Sequence, residues 1–177
     1  MNIATFLERL DELDQSVNLE ILKNLLQQLQ IDSSEVREYM NFDDIRYLRN
    51  LVRRTDHYEA LFLCFEAGQR TPIHDHSGSA CGVRVIEGAA METIFERTED
   101  GWLYATGTSE LPATGVVGSE DMDIHQLSNL QSGGKRLVTL HIYSPPLGEV
   151  GNYSIEDNSV TRVTAPTWEA VTGSLSR

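Results

Sequence analysis

The chain has 177 residues, of which 40% are hydrophobic and 23% charged, a balance typical of one globular domain with its own core. Its net charge of -13 would repel phosphate backbones, so nucleic acid is not expected as a partner. No apolar run approaches the roughly 20 residues of a membrane helix, and two cysteines are too few for a secreted disulfide scaffold. The N-terminal segment MNIATFLERLDELDQ also lacks the basic start and apolar run of a secretory signal. We therefore expect a cytoplasmic protein that does not bind membranes, and a monomer because no segment has the character of an interface.

Residues 1–45 have the pattern of helices. Apolar residues recur at helical spacing in TFLERLDELDQ and again in NLEILKNLLQQLQI. Ser33 and Ser34 mark a third helix start before EVREYM. The apolar stripes predict helices that pack against the rest of the domain rather than a partner site.

Residues 46–177 have the pattern of β-structure. Short runs rich in β-branched and aromatic residues follow one another, separated by turn sequences such as EAGQRTP, TEDG and QSGGK. The predicted strands are IRYLRNLV, YEALFLCF, CGVRVIEG, METIFER, GWLYATG, DIHQLSNL, RLVTLHIYS and VTRVTA. Many short strands without intervening helices favour an antiparallel, jelly-roll-like β-barrel. We predict a mainly β fold in one domain, residues 1–177, with the N-terminal helices packed against the barrel.

The segment TPIHDHSGSACG, residues 71–82, contains two of the five histidines at alternate positions, His74 and His76. On a strand, residues i and i+2 project from the same face. Two imidazoles on one face can bind one transition metal ion. Two histidines at this spacing are also frequent on exposed strands, so the pair alone does not decide between the two interpretations.

The residues around the pair form a longer pattern. Gly68, HDH, Cys81 and Gly88 have the spacing of the first motif of the cupin superfamily, which the segment resembles. His125 and Asn129 resemble the end of the second cupin motif, which supplies a further histidine ligand. Cys81 occupies the position where the first motif usually has a glutamate ligand, so the metal set contains three histidines and no carboxylate.

A set of three neutral histidines carries one negative charge fewer than the two-histidine, one-carboxylate set of many iron oxygenases. Such a site should favour an anionic donor from the substrate, such as a thiolate, bound directly to Fe(II). A zinc site with water in the fourth position would have the same sequence pattern.

Two further strands carry polar residues on one face. In RLVTLHIYSPP, Thr139, His141 and Tyr143 alternate and could form a hydrogen-bonded relay that positions the phenol. In IRYLRNLV, Tyr47 and Arg49 share a face, and an arginine suits a carboxylate. The alternatives are ordinary half-buried strand residues in the first case and a solvated basic cluster in the second.

Together these segments resemble the cysteine dioxygenases, the thiol dioxygenase branch of the cupins. The resemblance extends from about residue 47 to 146 and is carried by YLRNLV, GQRTPIHDHSGSAC, HQLSN and TLHIYSPPL. It implies oxidation of L-cysteine by dioxygen to cysteine sulfinic acid. It implies three ligands for one ferrous iron: His74, His76 and His125. It also implies Arg49 and Tyr47 at the substrate carboxylate, and Tyr143 beside the substrate with His141 and Thr139 as its relay.

The resemblance also gives Cys81 a role. In animal members, a cysteine at this position forms a thioether to the tyrosine that matches Tyr143, so we expect a partial Cys81–Tyr143 crosslink that grows with turnover. Thr139 replaces the usual serine of the family and keeps the hydroxyl. The Ser144–Pro145 bond is expected to be cis, as the SPP turn of this family tends to be.

Two alternatives to a cysteine dioxygenase stay open. One is a dioxygenase for another small thiol acid such as 3-mercaptopropionate, although relatives with that preference tend to lack the arginine that matches Arg49. The other is a non-catalytic cupin module that binds a metal or small ligand. The combination of an open metal set, Arg49 and the Tyr143 relay favours the enzyme.

Overall fold

The computed structural model describes residues 1–120 and 123–165 and has a mainly β architecture. Two α-helices, Ile3–Asp11 (α1) and Leu19–Gln27 (α2), come first, followed by a 3-10 turn at Arg37–Tyr39. The strands are Leu48–Arg54 (β1), Glu59–Phe65 (β2), Ile73–His74 (β3), Ala80–Glu87 (β4), Ala90–Arg97 (β5), Leu103–Leu111 (β6), Val116–Ser119 (β7), Ile124–Ser128 (β8), Leu137–Ser144 (β9), Glu149–Tyr153 (β10) and Val160–Thr164 (β11). Residues 166–177 of the predicted domain lie outside the described residues.

The strands form two antiparallel sheets. The five-stranded sheet has the order β1-β2-β9-β4-β7, and the six-stranded sheet has the order β11-β10-β3-β8-β5-β6. A buried apolar cluster contains side chains of both sheets, including Leu61 and Val83 from one and Leu127 and Val150 from the other. The core therefore lies between two facing sheets, as in a jelly roll. The predicted mainly β fold is confirmed, although the described strands divide into two sheets rather than one closed barrel.

The two helices pack on the outer face of the five-stranded sheet, as the apolar stripes predict. Each helix begins at an asparagine whose side chain accepts a backbone hydrogen bond: Asn2 from Thr5 N (2.9 Å) and Asn18 from Ile21 N (3.0 Å). A second buried apolar cluster joins the helices to this sheet, and Leu22 of α2 is fully buried in it together with Phe62 of β2 and Leu140 of β9. The approach of α2 is so close that a Cβ on Gly82 of β4 would lie 2.7 Å from a leucine methyl carbon of the helix.

Three local features differ from the sequence predictions. The segment after Ser34 forms a turn and one 3-10 turn instead of a third α-helix. Strands β7 and β10 were not predicted, since each contains a glycine, Gly118 or Gly151, in a short run with weak alternation. Both glycines lie where a side chain would collide with neighbouring atoms, so packing selects them despite their low strand propensity. Among the helices of the described residues, none has the length and apolar character needed to cross a membrane.

Candidate metal centre

Three histidines from two distant parts of the chain meet between the sheets. Their candidate ligand atoms lie within 4.8 Å of one another: His74, His76 and His125. His74 is the last residue of β3 and lies directly opposite His125 of β8 in the antiparallel register. His76 follows two residues later, and its ring centroid lies 5.2 Å from that of His74 and 4.9 Å from that of His125. The strand pairing therefore brings together the three residues that the sequence motifs predict as ligands.

The Nδ1 atom of each ring has its own partner. His74 Nδ1 lies 3.0 Å from the carbonyl oxygen of Pro72, and His76 Nδ1 lies 3.1 Å from Ser119 Oγ. His125 Nδ1 lies 2.8 Å from a carboxylate oxygen of Glu92. When Nδ1–H donates to these oxygens, Nε2 carries the lone pair in every ring. The carbonyl and the carboxylate can only accept, so His74 and His125 are held in the tautomer that offers Nε2 to a metal ion, and the Ser119 hydroxyl allows the same tautomer at His76.

His76 Nε2 provides an independent test of a metal at this position. It is one of two buried side-chain polar atoms without a hydrogen-bond partner in the described part of the chain. A buried polar atom left unpaired is costly, and a metal ion would satisfy it. Burial lowers the pKa of His76 well below its usual range, and burial together with the neighbouring His125 lowers the pKa of His74 to about 3. Both rings are therefore neutral near pH 7, which is the form that binds metals.

Asp75, between the first two ligands, points the opposite way and anchors their loop. It is fully buried and accepts hydrogen bonds from Gly151 N (2.8 Å) and the Tyr153 hydroxyl (2.6 Å) of β10. Arg162 of β11 forms an ion pair with it at 3.2 Å. At the end of β3, the two imidazoles thus point into the site, while the carboxylate between them is held by β10 and β11.

The predicted relay on β9 is present as a chain of hydrogen bonds. Thr139 Oγ1 lies 2.9 Å from His141 Nε2, and His141 Nδ1 lies 3.1 Å from the Tyr143 hydroxyl. All three residues are buried. Burial raises the pKa of Tyr143 well above its usual value and lowers the pKa of His141 well below its usual value, so both side chains are neutral. The Tyr143 ring centroid lies 5.7 Å from that of His76, which places the phenol beside the metal centre.

Cys81 of β4 lies directly opposite Tyr143 of β9 in the sheet register. Side chains at opposite positions of antiparallel strands are neighbours, with Cβ atoms about 4.5–5.5 Å apart. Cys81 Sγ lies 3.9 Å from His141 Nδ1, the same atom that contacts the phenol oxygen. The thiol is free and buried, and burial raises its pKa, so it is protonated near pH 7.

Arg49 faces inward rather than joining a solvated basic cluster. Its side chain is 11% exposed, and its guanidinium carbon lies 5.5 Å from the Tyr143 ring centroid. Its Nε is the second buried polar atom without a partner among the described residues. Its nearest acid is Glu59, at 3.7 Å, and that carboxylate makes a closer ion pair with Arg54 at 2.6 Å. Arg49 therefore keeps donors free for an anionic group.

A cavity of about 170 Å³ lies between Arg49, His74 and Tyr143. It is smaller than the roughly 300–1,000 Å³ of drug-sized sites, so it suits a small metabolite. Its polar wall includes Tyr47, Arg49, His74, His141 and Tyr143. Its apolar wall comes from both sheets and includes Leu63 of β2 and Leu127 of β8. Tyr47 also stacks on Phe65, with ring centroids 5.1 Å apart, which fixes its position at the rim.

Four contributors to the site were not predicted from the sequence. Glu92 and Ser119 contact metal-site histidines, Glu59 contacts Arg49, and Asp75 anchors the HDH loop. Asp75 is part of the HDH motif, so its alternation with the histidines could have indicated a role. The other three lie on strands other than those of their partners, and only the folded structure shows their contacts.

Comparisons with known proteins agree with these features. A family model described as cysteine dioxygenase type I matches residues 3–156. Cysteine dioxygenase type 1 of Danio rerio is 31% identical over 136 residues, covering 74% of this chain and 67% of that protein. The Homo sapiens protein is 29% identical over 134 residues, covering 73% and 66%, so the chain spans about two thirds of the length of these relatives. A solved Klebsiella pneumoniae protein with a double-stranded beta-helix domain shares the fold, with a TM-score of 0.51 and 17% identity over 78% of this chain and 98% of that one.

Proposed function

The chain belongs to the cysteine dioxygenase type I family of oxygenase-type oxidoreductases, and we propose that it converts L-cysteine and dioxygen to cysteine sulfinic acid at a mononuclear Fe(II) site. One observation carries this proposal. The two buried polar atoms that lack a partner among the described residues, His76 Nε2 and Arg49 Nε, belong to side chains that both lie within 6 Å of the Tyr143 ring. His76 Nε2 can coordinate a metal ion, and Arg49 Nε–H can donate a hydrogen bond to an anion. A substrate with both a thiol and a carboxylate requires both groups.

The residues that would hold the iron are His74, His76 and His125. A ferrous ion bound there supplies open coordination positions and the redox chemistry that dioxygen requires, and both oxygen atoms end on the sulfur of the thiol. Because the three imidazoles are neutral donors, the site favours a thiolate over a neutral donor. The product is a sulfinic acid, so the thiol (sulfur and hydrogen) and dioxygen account for every atom of the new group.

Arg49 binds the substrate carboxylate in this proposal. Its free guanidinium donors suit a charge-assisted hydrogen bond, and burial strengthens such a bond relative to one in water. Tyr47 lines the same cavity as Arg49 and would support the carboxylate end of the substrate. With its carboxylate at Arg49, a three-carbon substrate would direct its thiol toward His74, which lines the same small cavity.

Tyr143 contacts the substrate or the oxygen being transferred. If Thr139 donates to His141 Nε2, then His141 Nδ1–H donates to the phenol oxygen, and the phenol O–H is left to donate into the cavity. The relay thus holds a neutral phenol as a proton donor at a fixed position.

A thioether between Cys81 and the Tyr143 ring is part of the proposal. Its formation removes one hydrogen from the thiol and one from the ring, and dioxygen accepts the two electrons. The direct cross-strand position of the two residues supports it. Intact mass after repeated turnover should show the loss of two hydrogens in a growing fraction of the protein, and Cys81→Ser should show none.

We also propose that residues 1–177 act as one domain and as a monomer in the cytoplasm. The helices share a core cluster with the five-stranded sheet, which supports a single folding unit. Both cysteines are free, which suits a reducing compartment.

The test is oxygen consumption by the Fe(II)-loaded protein, measured side by side with L-cysteine and 3-mercaptopropionate, with the sulfinate product identified by NMR. Preference for cysteine supports the proposal. Preference for the mercapto acid would keep the thiol dioxygenase chemistry and change the substrate. No uptake with either thiol, in protein shown to hold iron, would contradict the activity and favour a non-catalytic metal-binding module.

A further inference from the structure

Glu92 contacts one of the three candidate metal ligands, His125, but is not one of the ligands itself. It lies on β5, opposite Leu127 of β8, and therefore diagonally next to His125 on the same face of the sheet. Its carboxylate oxygen lies 2.8 Å from His125 Nδ1, and the side chains of Glu92 and His125 are 12% and 2% exposed. The contact is thus short and largely shielded from water.

The three histidines are not equivalent in what their Nδ1 atoms contact. His74 Nδ1 contacts a backbone carbonyl, and His76 Nδ1 contacts the hydroxyl of Ser119. Only His125 donates to a carboxylate. A hydrogen bond to a charged acceptor is stronger than one to a neutral acceptor and makes the imidazole a better electron donor at Nε2.

We propose that Glu92 supplies, through His125, part of the negative charge that a three-histidine set lacks. Glu92 is thus a positioning residue that acts on the metal through His125. This inference rests on the proposed function only for the statement that the histidines hold a metal ion. A carboxylate ligand would offset one of the two positive charges of the metal ion but occupy a coordination position. A carboxylate behind His125 offsets part of the metal charge in a shielded site and leaves that position open for substrate.

The charge can be separated from the hydrogen bond by substitution. Glu92→Gln keeps an acceptor oxygen for His125 Nδ1–H and removes the charge. Glu96→Gln is a matched control because Glu96 is an exposed acid on the same strand, where it accepts a hydrogen bond from Tyr104 at 3.0 Å. Both variants change the net charge of the protein equally, so a difference between them reports the position of the charge.

The measurement is the dissociation constant of Co(II), obtained by competition with a chelator. Loss of a partner behind a metal-binding histidine typically weakens metal binding by about 10- to 100-fold. We expect about 10-fold or more for Glu92→Gln and less than about 2-fold for Glu96→Gln on the same scale. A second readout is the reduction potential of bound iron, which should rise in Glu92→Gln because a nearby negative charge favours Fe(III).

Equal Co(II) affinity of wild type and Glu92→Gln would overturn the inference. Failure of the wild type to bind Co(II) would instead contradict the metal site, and with it the proposed function. If Glu92→Gln does not fold, Glu92→Asp and Glu92→Asn form a second pair that differs in charge at equal size. The aspartate variant should then bind Co(II) more tightly, and equal affinities in this pair would also overturn the inference.

Discussion

Arg49→Met separates recognition of the substrate carboxylate from the chemistry at sulfur. The substitution removes the guanidinium and keeps much of the volume of an 11% exposed side chain. Glu59 retains its closer partner, Arg54 at 2.6 Å, and its hydrogen bond from Leu147 N at 3.3 Å. We therefore expect the variant to fold and to bind metal like the wild type.

The expected loss follows from the burial of Arg49. A hydrogen bond to a charged group contributes about 1.5–3 kcal/mol, and a guanidinium can make two to one carboxylate. Allowing for incomplete geometry, we estimate about 2–4 kcal/mol in transition-state stabilisation. At about 1.36 kcal/mol per tenfold, kcat/KM for L-cysteine should fall by about 30- to 1,000-fold.

The control is a thiol without a carboxylate. Cysteamine keeps the thiol and amine of cysteine but lacks the carboxylate that Arg49 would bind. Its kcat/KM should therefore be low for the wild type and nearly unchanged by Arg49→Met. Arg53→Met, on the same strand but half exposed and paired with Asp11, should leave both substrates unaffected. Oxygen uptake measured for each protein variant with each thiol gives a thermodynamic cycle between the side chain at position 49 and the substrate carboxylate. An equal loss with cysteamine and cysteine would refute carboxylate binding by Arg49.

Three further predictions concern the phenol, the helix contact and the HDH loop. Tyr143→Phe should lower kcat by about 100-fold or more with little change in KM, as expected on removal of a proton donor, and unchanged kcat would contradict that role. Gly82→Ala should lower the free energy of unfolding in urea by about 1–3 kcal/mol because a Cβ there meets helix α2, whereas Gly107→Ala, with open space around it, should not. Asp75→Asn should cost about 1–3 kcal/mol of stability, because a charged acceptor of bonds from Tyr153 and Arg162 is lost, and a variant as stable as wild type would refute the clamp.

The sequence predicts the inward-facing residues of the site well because strand alternation is a local property. His74 and His76, and likewise Thr139, His141 and Tyr143, follow the period of two, and the hydrogen bonds of the relay are those that alternation permits. The cis bond at Ser144–Pro145 also agrees with the prediction. The mainly β fold follows from the number and spacing of the predicted strands, while the division into two sheets depends on pairings that local patterns do not specify.

What the sequence does not predict depends on long-range register. Glu92 is an ordinary acidic residue in METIFER until β5 pairs with β8 and brings it next to His125. Glu59 lies in an apolar strand, EALFLCF, and the pairing of β1 with β2 places it opposite Arg54, so its 3.7 Å contact with Arg49 cannot be inferred from local patterns. Arg162 lies beyond the region that resembles the family, yet it contacts the HDH loop.

Isotope labelling tests the central claim most directly. Fe(II)-loaded protein is turned over with L-cysteine under ¹⁸O₂, and the sulfinate product is analysed by mass spectrometry. The account predicts cysteine sulfinic acid in which both sulfinate oxygens carry the label, with no product from the metal-free protein. Disulfide as the only product, or sulfinate whose oxygens come from water, would contradict a thiol dioxygenase.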